Sequence, residues 1–172
     1  MGEGEIPPLI LTALLPKDLQ ARANALRQAH FPPERNYLDA HVTLFHALPG
    51  QCEDEVRDVL KAIVRETAPV PARLLGIMSL GGGTALKLES HAMLDLRARI
   101  ADRFHGMLTQ QDQHKPRLHV TVQNKVTSKE AKALQSALEG QVAAQDFAFR
   151  GLGLYAYMGG PWDELGTYAF RG

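Results

Sequence analysis

Two short segments of the chain read His-Val-Thr followed by an aliphatic residue, and they begin at His41 and at His119. Side chains alternate between the two faces of a strand, so His41 and Thr43 share one face, as do His119 and Thr121. Near neutral pH an imidazole can take up or release a proton, and a hydroxyl can hydrogen-bond a phosphate oxygen. If the fold brings the two strands together, these four side chains suit acid/base catalysis of phosphoryl transfer without a metal ion.

The two motifs fall at matching points of a longer repeat. The step from His41 to His119 is 78 residues, and the step between two similar runs that begin at Arg73 and Arg150 is 77 residues. Landmarks that recur in the same order predict an internal duplication. We therefore expect an α+β fold with two lobes related by an approximate two-fold axis, each an antiparallel sheet with two helices, and an active-site cleft between them. The prediction is one domain over residues 1–172, with repeats at about 8–89 and 84–171.

Apolar residues spaced three and four apart predict the helices, and short runs rich in Val, Leu, Thr and aromatic residues predict the strands. Ser90 is expected to cap one helix, and Thr127 with Glu130 has the spacing of a capping box. The glycine-rich segments at 81–83 and 159–160 are expected to form hairpin turns. Helices are predicted at residues 17–30, 53–67, 91–108 and 128–144, and strands at 6–15, 41–44, 73–77, 84–89, 119–122, 150–154 and 163–170.

The paired motifs and their separation resemble the 2H phosphoesterase superfamily, which includes bacterial 2′-5′ RNA ligases and 2′,3′-cyclic nucleotide phosphodiesterases. The resemblance covers nearly the whole chain. It implies that His41 and His119 are the acid/base pair and that Thr43 and Thr121 bind phosphate. It also implies substrates that are small nucleotides or RNA ends carrying a cyclic phosphate or phosphodiester, and a chemistry that needs no metal cofactor.

Three further residues are predicted to bind substrate. Ligase-like members of that superfamily often place an arginine soon after the second motif, whereas here Gln123 and Lys125 follow on the face expected for His119. Lys125 could supply the positive charge, although an ammonium lacks the bidentate fork of arginine. Phe45 is expected on the face of His41, where it would either stack a nucleobase or form part of the core.

Composition limits the class of protein. Lysine plus arginine number 19, as do aspartate plus glutamate, so the net charge of zero argues against coating long nucleic acid by charge alone. The single cysteine, Cys52, excludes an intrachain disulfide and is compatible with a reducing compartment. The apolar stretch at 6–15 is far short of the roughly 20 residues that a membrane span needs. We expect a cytoplasmic monomer.

Other residues near the motifs have two interpretations. His46 and His114 each lie five positions from a motif histidine, but alternation sends His46 to the opposite face, and a metal site usually needs three or four converging ligands. The basic residues Lys115 and Arg117 are either solvated or steer phosphate. Trp162 lies either at the cleft mouth or in a hairpin, and the same two interpretations apply to Tyr155 and Tyr157. Arg73 and Arg150 are expected to have structural roles.

The sequence therefore predicts a phosphoesterase that hydrolyses a 2′,3′-cyclic phosphate or a related phosphodiester. One motif histidine would activate water and the other would protonate the leaving ribose oxygen, with the assignment of the two left open. A second interpretation is 2′-5′ RNA ligation, in which the same pair works in reverse. A third is a non-catalytic protein that binds nucleotides or RNA ends, although such a binder would not need two proton-transfer groups.

Overall fold

A computed structural model describes residues 6–172 and has an α+β fold. Antiparallel strands and helices follow one another along the chain, and short 3₁₀ turns lie at Pro33–Arg35, Gly50–Cys52 and Gln111–Gln113. The elements in chain order are β1 Leu9–Leu14, α1 Lys17–His30, β2 Val42–Leu48, α2 Glu53–Glu66, β3 Val70–Ser79, β4 Thr84–Glu89, α3 His91–Arg103, β5 His119–Gln123, α4 Ser128–Leu138, β6 Gln145–Phe149, β7 Gly151–Tyr157 and β8 Trp162–Ala169.

The predicted helix starts agree with the structure, whereas two helix ends do not. Ser90 caps α3 by accepting a hydrogen bond from the Met93 amide at 3.1 Å, and Thr127 caps α4 in the same way through Glu130. Helix α3 ends at Arg103 instead of residue 108, and the φ of +85° at Gly106 is incompatible with a helix that continues through it. Helix α4 ends at Leu138 instead of residue 144 and leaves room for β6, a strand that the sequence analysis did not predict.

The strands form two four-stranded antiparallel sheets, as the fold prediction expects. The first sheet has the order β2-β1-β7-β8, and the second has the order β5-β4-β3-β6. The second sheet is thus built from one continuous stretch of chain, whereas the first combines strands from both ends. The predicted repeats at 8–89 and 84–171 do not coincide with the sheets, because each repeat supplies strands to both. The internal duplication stays a prediction.

The two motif strands are edge strands, and they meet. Strand β2 is at the edge of the first sheet, β5 is at the edge of the second, and the two contact each other. Helix α1 lies along β5, α2 packs on β7 and β8, and α3 and α4 pack on β3. Buried apolar side chains below both sheets, such as Leu11, Val42, Val120 and Leu154, hold this arrangement together. In the part of the chain that the structure describes, no helix is both long and apolar enough to cross a membrane.

Candidate active site

The contact between β2 and β5 forms the floor of a cleft of about 610 Å³, a size typical of small-ligand sites. His41 and Thr43 from β2 line this cleft together with His119 and Thr121 from β5. The structure therefore brings the four predicted side chains to one pocket, although the two motifs are far apart in the sequence.

Each motif histidine is oriented by a backbone carbonyl two residues before it. Nδ1 of His41 lies 2.8 Å from the Asp39 oxygen, and Nδ1 of His119 lies 2.6 Å from the Arg117 oxygen. A carbonyl oxygen can only accept a hydrogen bond, so Nδ1 carries the proton in both rings. Nε2 of each imidazole is thereby left for proton transfer in the cleft.

His41 has an electrostatic environment that favours the neutral imidazole. The pKa of His41 is lowered to about 4, and burial is the largest cause. The hydrogen bond to Asp39 favours the charged form and opposes this shift, whereas the electrostatic effects of Arg27, His119 and His46 add to it. The ring of Trp162 packs against His41 with 4.5 Å between ring centroids. Trp162 thus lines the cleft, in agreement with the first of its two interpretations.

A β-bulge follows the threonine of each motif. In the β1–β2 pair, Thr12 is opposite Thr43 but Leu11 is opposite Phe45, so β2 has one extra residue, Leu44, at this point. In the β4–β5 pair, Ala85 is opposite Thr121 but Thr84 is opposite Gln123. An extra residue of this kind reverses the alternation of side chains beyond it.

The bulges correct two of the predicted substrate contacts. Phe45 is fully buried, with the guanidinium of Arg97 4.2 Å above its ring, so it belongs to the core. Gln123 is also buried, and its side-chain oxygen accepts a hydrogen bond from Thr84 at 3.0 Å. Neither side chain lines the cleft. The same reversal brings His46 into the cleft, although simple alternation predicted that it would lie on the opposite face of the strand.

Lys125, the third predicted substrate contact, lies outside the cleft. Strand β5 ends at Gln123, and Lys125 adopts a φ of +60° in the turn that follows. Its side chain borders a separate depression beside Pro32 and Pro33. Alternation cannot be extended past the end of a strand, so the expected position of Lys125 on the face of His119 is wrong.

Positive charge reaches the cleft from another segment, the chain just before β5. His114, Lys115 and Arg117 line it there, and a phosphate-steering role for Lys115 and Arg117 stays a prediction. The buried Arg97 and Asp112 also reach the cleft, and sequence reasoning did not single them out. Both residues contact β2, and contacts between residues so far apart in the chain cannot be predicted from the spacing of neighbouring residues.

The other ambiguous residues have structural contacts. Arg73 pairs with Asp146 at 2.6 Å, and Arg150 donates to the Leu15 carbonyl at 2.8 Å. Tyr155 packs beside Trp162 with 5.4 Å between ring centroids. Within residues 6–172, no three His, Cys, Asp or Glu side chains converge as metal ligands do.

A sequence model of the 2′-5′ RNA ligase superfamily matches residues 15–161. The chain belongs to this superfamily. No curated protein matches the sequence significantly.

Solved structures with the fold of this superfamily superpose over nearly the full chain. TT0787 of Thermus thermophilus is 16% identical with a TM-score of 0.62, over 96% of this chain and 98% of that one. E. coli LigT complexed with NADP+ is 16% identical with a TM-score of 0.58, and LigT complexed with 3′-AMP is 17% identical with a TM-score of 0.56. Both LigT matches cover 98% of this chain and 100% of the other. The resemblance inferred from the paired motifs is confirmed, and so is the fold.

Proposed function

We propose that this member of the 2′-5′ RNA ligase superfamily hydrolyses 2′,3′-cyclic phosphates, or related phosphodiesters, of small nucleotides or RNA ends. One observation carries the proposal. Two imidazoles, each fixed through Nδ1 by a carbonyl two residues earlier, line one cleft together with two threonine hydroxyls. This arrangement supplies a proton acceptor, a proton donor and two phosphate ligands at one site.

The proposed reaction assigns His41 as the base, because its lowered pKa keeps the imidazole neutral at pH 7. Nε2 of His41 takes a proton from a water molecule as the water oxygen attacks phosphorus. The bond from phosphorus to one ribose oxygen breaks, and that oxygen receives the proton carried on Nε2 of His119. The product is a nucleotide monophosphate. The proton that His41 takes up balances the proton that His119 releases.

The threonines act on the phosphate itself. Hydroxyls from Thr43 and Thr121 donate hydrogen bonds to the non-bridging oxygens, on which negative charge builds as the reaction proceeds. Solved LigT structures contain 3′-AMP and NADP+, which supports a nucleotide as the substrate class. The same pair of histidines would also carry out ligation in reverse, with a ribose hydroxyl as nucleophile, as the name of the superfamily suggests.

The proposal is tested with purified protein, nucleoside 2′,3′-cyclic phosphates and EDTA. We expect one monophosphate isomer to form in the presence of the chelator. His41→Ala and His119→Ala should each abolish turnover, whereas His105→Ala, at an exposed position outside the cleft, should keep it. Normal turnover in either motif variant would contradict the assigned roles, and loss of activity with EDTA would contradict the metal-independent reaction. A 2′-5′ joined product from RNA fragments would identify ligation instead.

A further inference from the structure

The cleft has a wall that the proposed reaction does not use. We call it the basic wall, and it consists of His46, which follows the bulge in β2, and of His114, Lys115 and Arg117, which precede β5. The lysine and arginine are exposed. Among the described residues that line the cleft, the only acidic side chain is Asp112, which is 1% exposed. A chain with no net charge thus places the cationic side chains of Lys115 and Arg117 along the cleft that holds the two motif histidines.

Asp112 orients His46 on this wall. Its carboxylate accepts hydrogen bonds from the backbone amides of His46 at 2.9 Å and Ala47 at 2.8 Å, and lies 3.3 Å from Nδ1 of His46. Burial by itself raises the pKa of Asp112, but these hydrogen bonds outweigh it and hold the pKa below its ordinary value. The carboxylate therefore accepts the Nδ1 proton, and Nε2 of the half-exposed His46 remains available to a ligand.

Arg97 fixes the wall to the motif strand. Its Nε donates to the Leu44 carbonyl at 3.0 Å, and its Nη2 donates to the Asp112 carbonyl. The guanidinium is buried and packs on Phe45. The segment that carries Asp112 is thereby held in place against β2 before any ligand binds, which reduces the entropy cost of binding.

We propose that the basic wall binds a second phosphate group of the substrate. This inference rests on the proposed function, since the first phosphate occupies the site between the two histidines. The two motifs already supply the proton-transfer groups and hydroxyls that one cyclic phosphate needs. Lys115 and Arg117, together with Nε2 of His46, fit a dianionic or diester phosphate elsewhere on the same nucleotide, through charge-assisted hydrogen bonds. The substrate class is then a 2′,3′-cyclic nucleotide with a further phosphate, either a 5′-phosphate or an internucleotide linkage.

The test compares three substrates: adenosine 2′,3′-cyclic phosphate, the same compound with a 5′-phosphate, and a dinucleotide that ends in a 2′,3′-cyclic phosphate. We expect the second phosphate to raise kcat/KM on the order of tenfold or more, and we expect this preference to shrink at high ionic strength. Preference for the 5′-phosphorylated compound identifies a terminal phosphate, and preference for the dinucleotide identifies an internucleotide linkage.

Variants locate the effect. Lys115→Glu, Arg117→Glu and His46→Gln should each reduce the preference, which is measured within each variant as the ratio of kcat/KM for the substrate with the second phosphate to kcat/KM for adenosine 2′,3′-cyclic phosphate. Lys132→Glu, an exposed charge reversal on α4 away from the cleft, is the matched control and should keep the preference. Equal thermal unfolding of all variants would show that the fold is intact. If the wild-type protein turned over all three substrates with equal kcat/KM, the inference would be overturned and the proposed function would still stand.

A binding measurement separates the two proposals if no substrate is turned over. Trp162 is the only tryptophan and lies in the cleft, so its fluorescence can follow binding of adenosine 3′,5′-bisphosphate and of 3′-AMP. Tighter binding of the bisphosphate, lost in Lys115→Glu but not in Lys132→Glu, would support the basic wall without catalysis. Equal affinity for the two nucleotides would overturn it.

Discussion

Arg27 on α1 donates a hydrogen bond from Nη1 to the backbone oxygen of Thr121 on β5, at 2.8 Å. A matching contact joins α3 to the other motif strand, where Arg97 donates to the Leu44 carbonyl. Both guanidiniums are buried, and each packs on an aromatic ring, that of Phe31 for Arg27. Each motif strand is thus tied to a helix from the other half of the chain, so the two histidines are positioned relative to each other by cross-links between the halves.

Replacing Arg27 with methionine should affect both stability and His41. The Thr121 carbonyl loses its side-chain donor, and leaving a buried polar group unpaired costs about 1–3 kcal/mol of unfolding free energy. The pKa of His41 should rise, because the positive charge of Arg27 helps to lower it. Urea unfolding and an NMR titration of His41 measure the two effects, with Arg22→Met on the exposed side of α1 as control. Destabilisation with an unchanged titration would show that Arg27 acts on packing alone.

His41 should stay neutral down to about pH 4. Between about pH 6.5 and pH 4 the unfolded chain takes up a proton at His41 that the folded protein does not. The stability due to this group is therefore complete above pH 6.5 and is lost as the pH falls toward 4. We expect the difference in unfolding free energy between wild type and His41→Gln to decrease over this range, and NMR to show a midpoint near 4. A midpoint near 6.5 would contradict the lowered pKa of His41 and, with it, the reason for assigning His41 as the base.

Trp162 should support His41 by covering its ring. Trp162→Ala exposes the imidazole to water, so the pKa of His41 should move up toward 6.5. kcat/KM should fall because the imidazole loses the ring contact that helps to hold it in position. Trp162→Phe retains an aromatic surface at this position and should recover most of the wild-type rate and most of the pKa shift. Steady-state kinetics across the pH range, together with the NMR titration, distinguish this effect from a simple loss of stability. An alanine variant with wild-type kinetics would show that the contact is incidental.

The threonine hydroxyls should matter more in the transition state than in substrate binding. Thr43→Ala and Thr121→Ala should each lower kcat by about tenfold to a thousandfold, as removal of an oxyanion hydrogen-bond donor does. Serine at either position keeps the hydroxyl and should restore much of the activity. The measurement is kcat and KM for a 2′,3′-cyclic nucleotide. If alanine changed KM alone, the hydroxyls would contribute to ground-state binding instead.

Local patterns in the sequence were sufficient for most of the elements and for the paired motifs, because capping residues and apolar spacing act over a few positions. They were not sufficient beyond Thr43 and Thr121. Each bulge depends on the pairing partner of its strand, and one extra residue exchanges the two faces. Phe45, Gln123 and His46 were therefore each assigned to the wrong face. The carboxylate of Asp112 is a long-range case, since the backbone amides that it accepts from lie more than sixty residues earlier in the chain.

The order of the strands has a consequence for synthesis on the ribosome. Residues of β3 to β6 are contiguous, so the second sheet can assemble while the chain is still growing. Strand β1 must wait for its neighbour β7, which is synthesised only after every strand of the second sheet. The first sheet, whose edge strand β2 follows His41, is therefore completed only after β7 has left the exit tunnel.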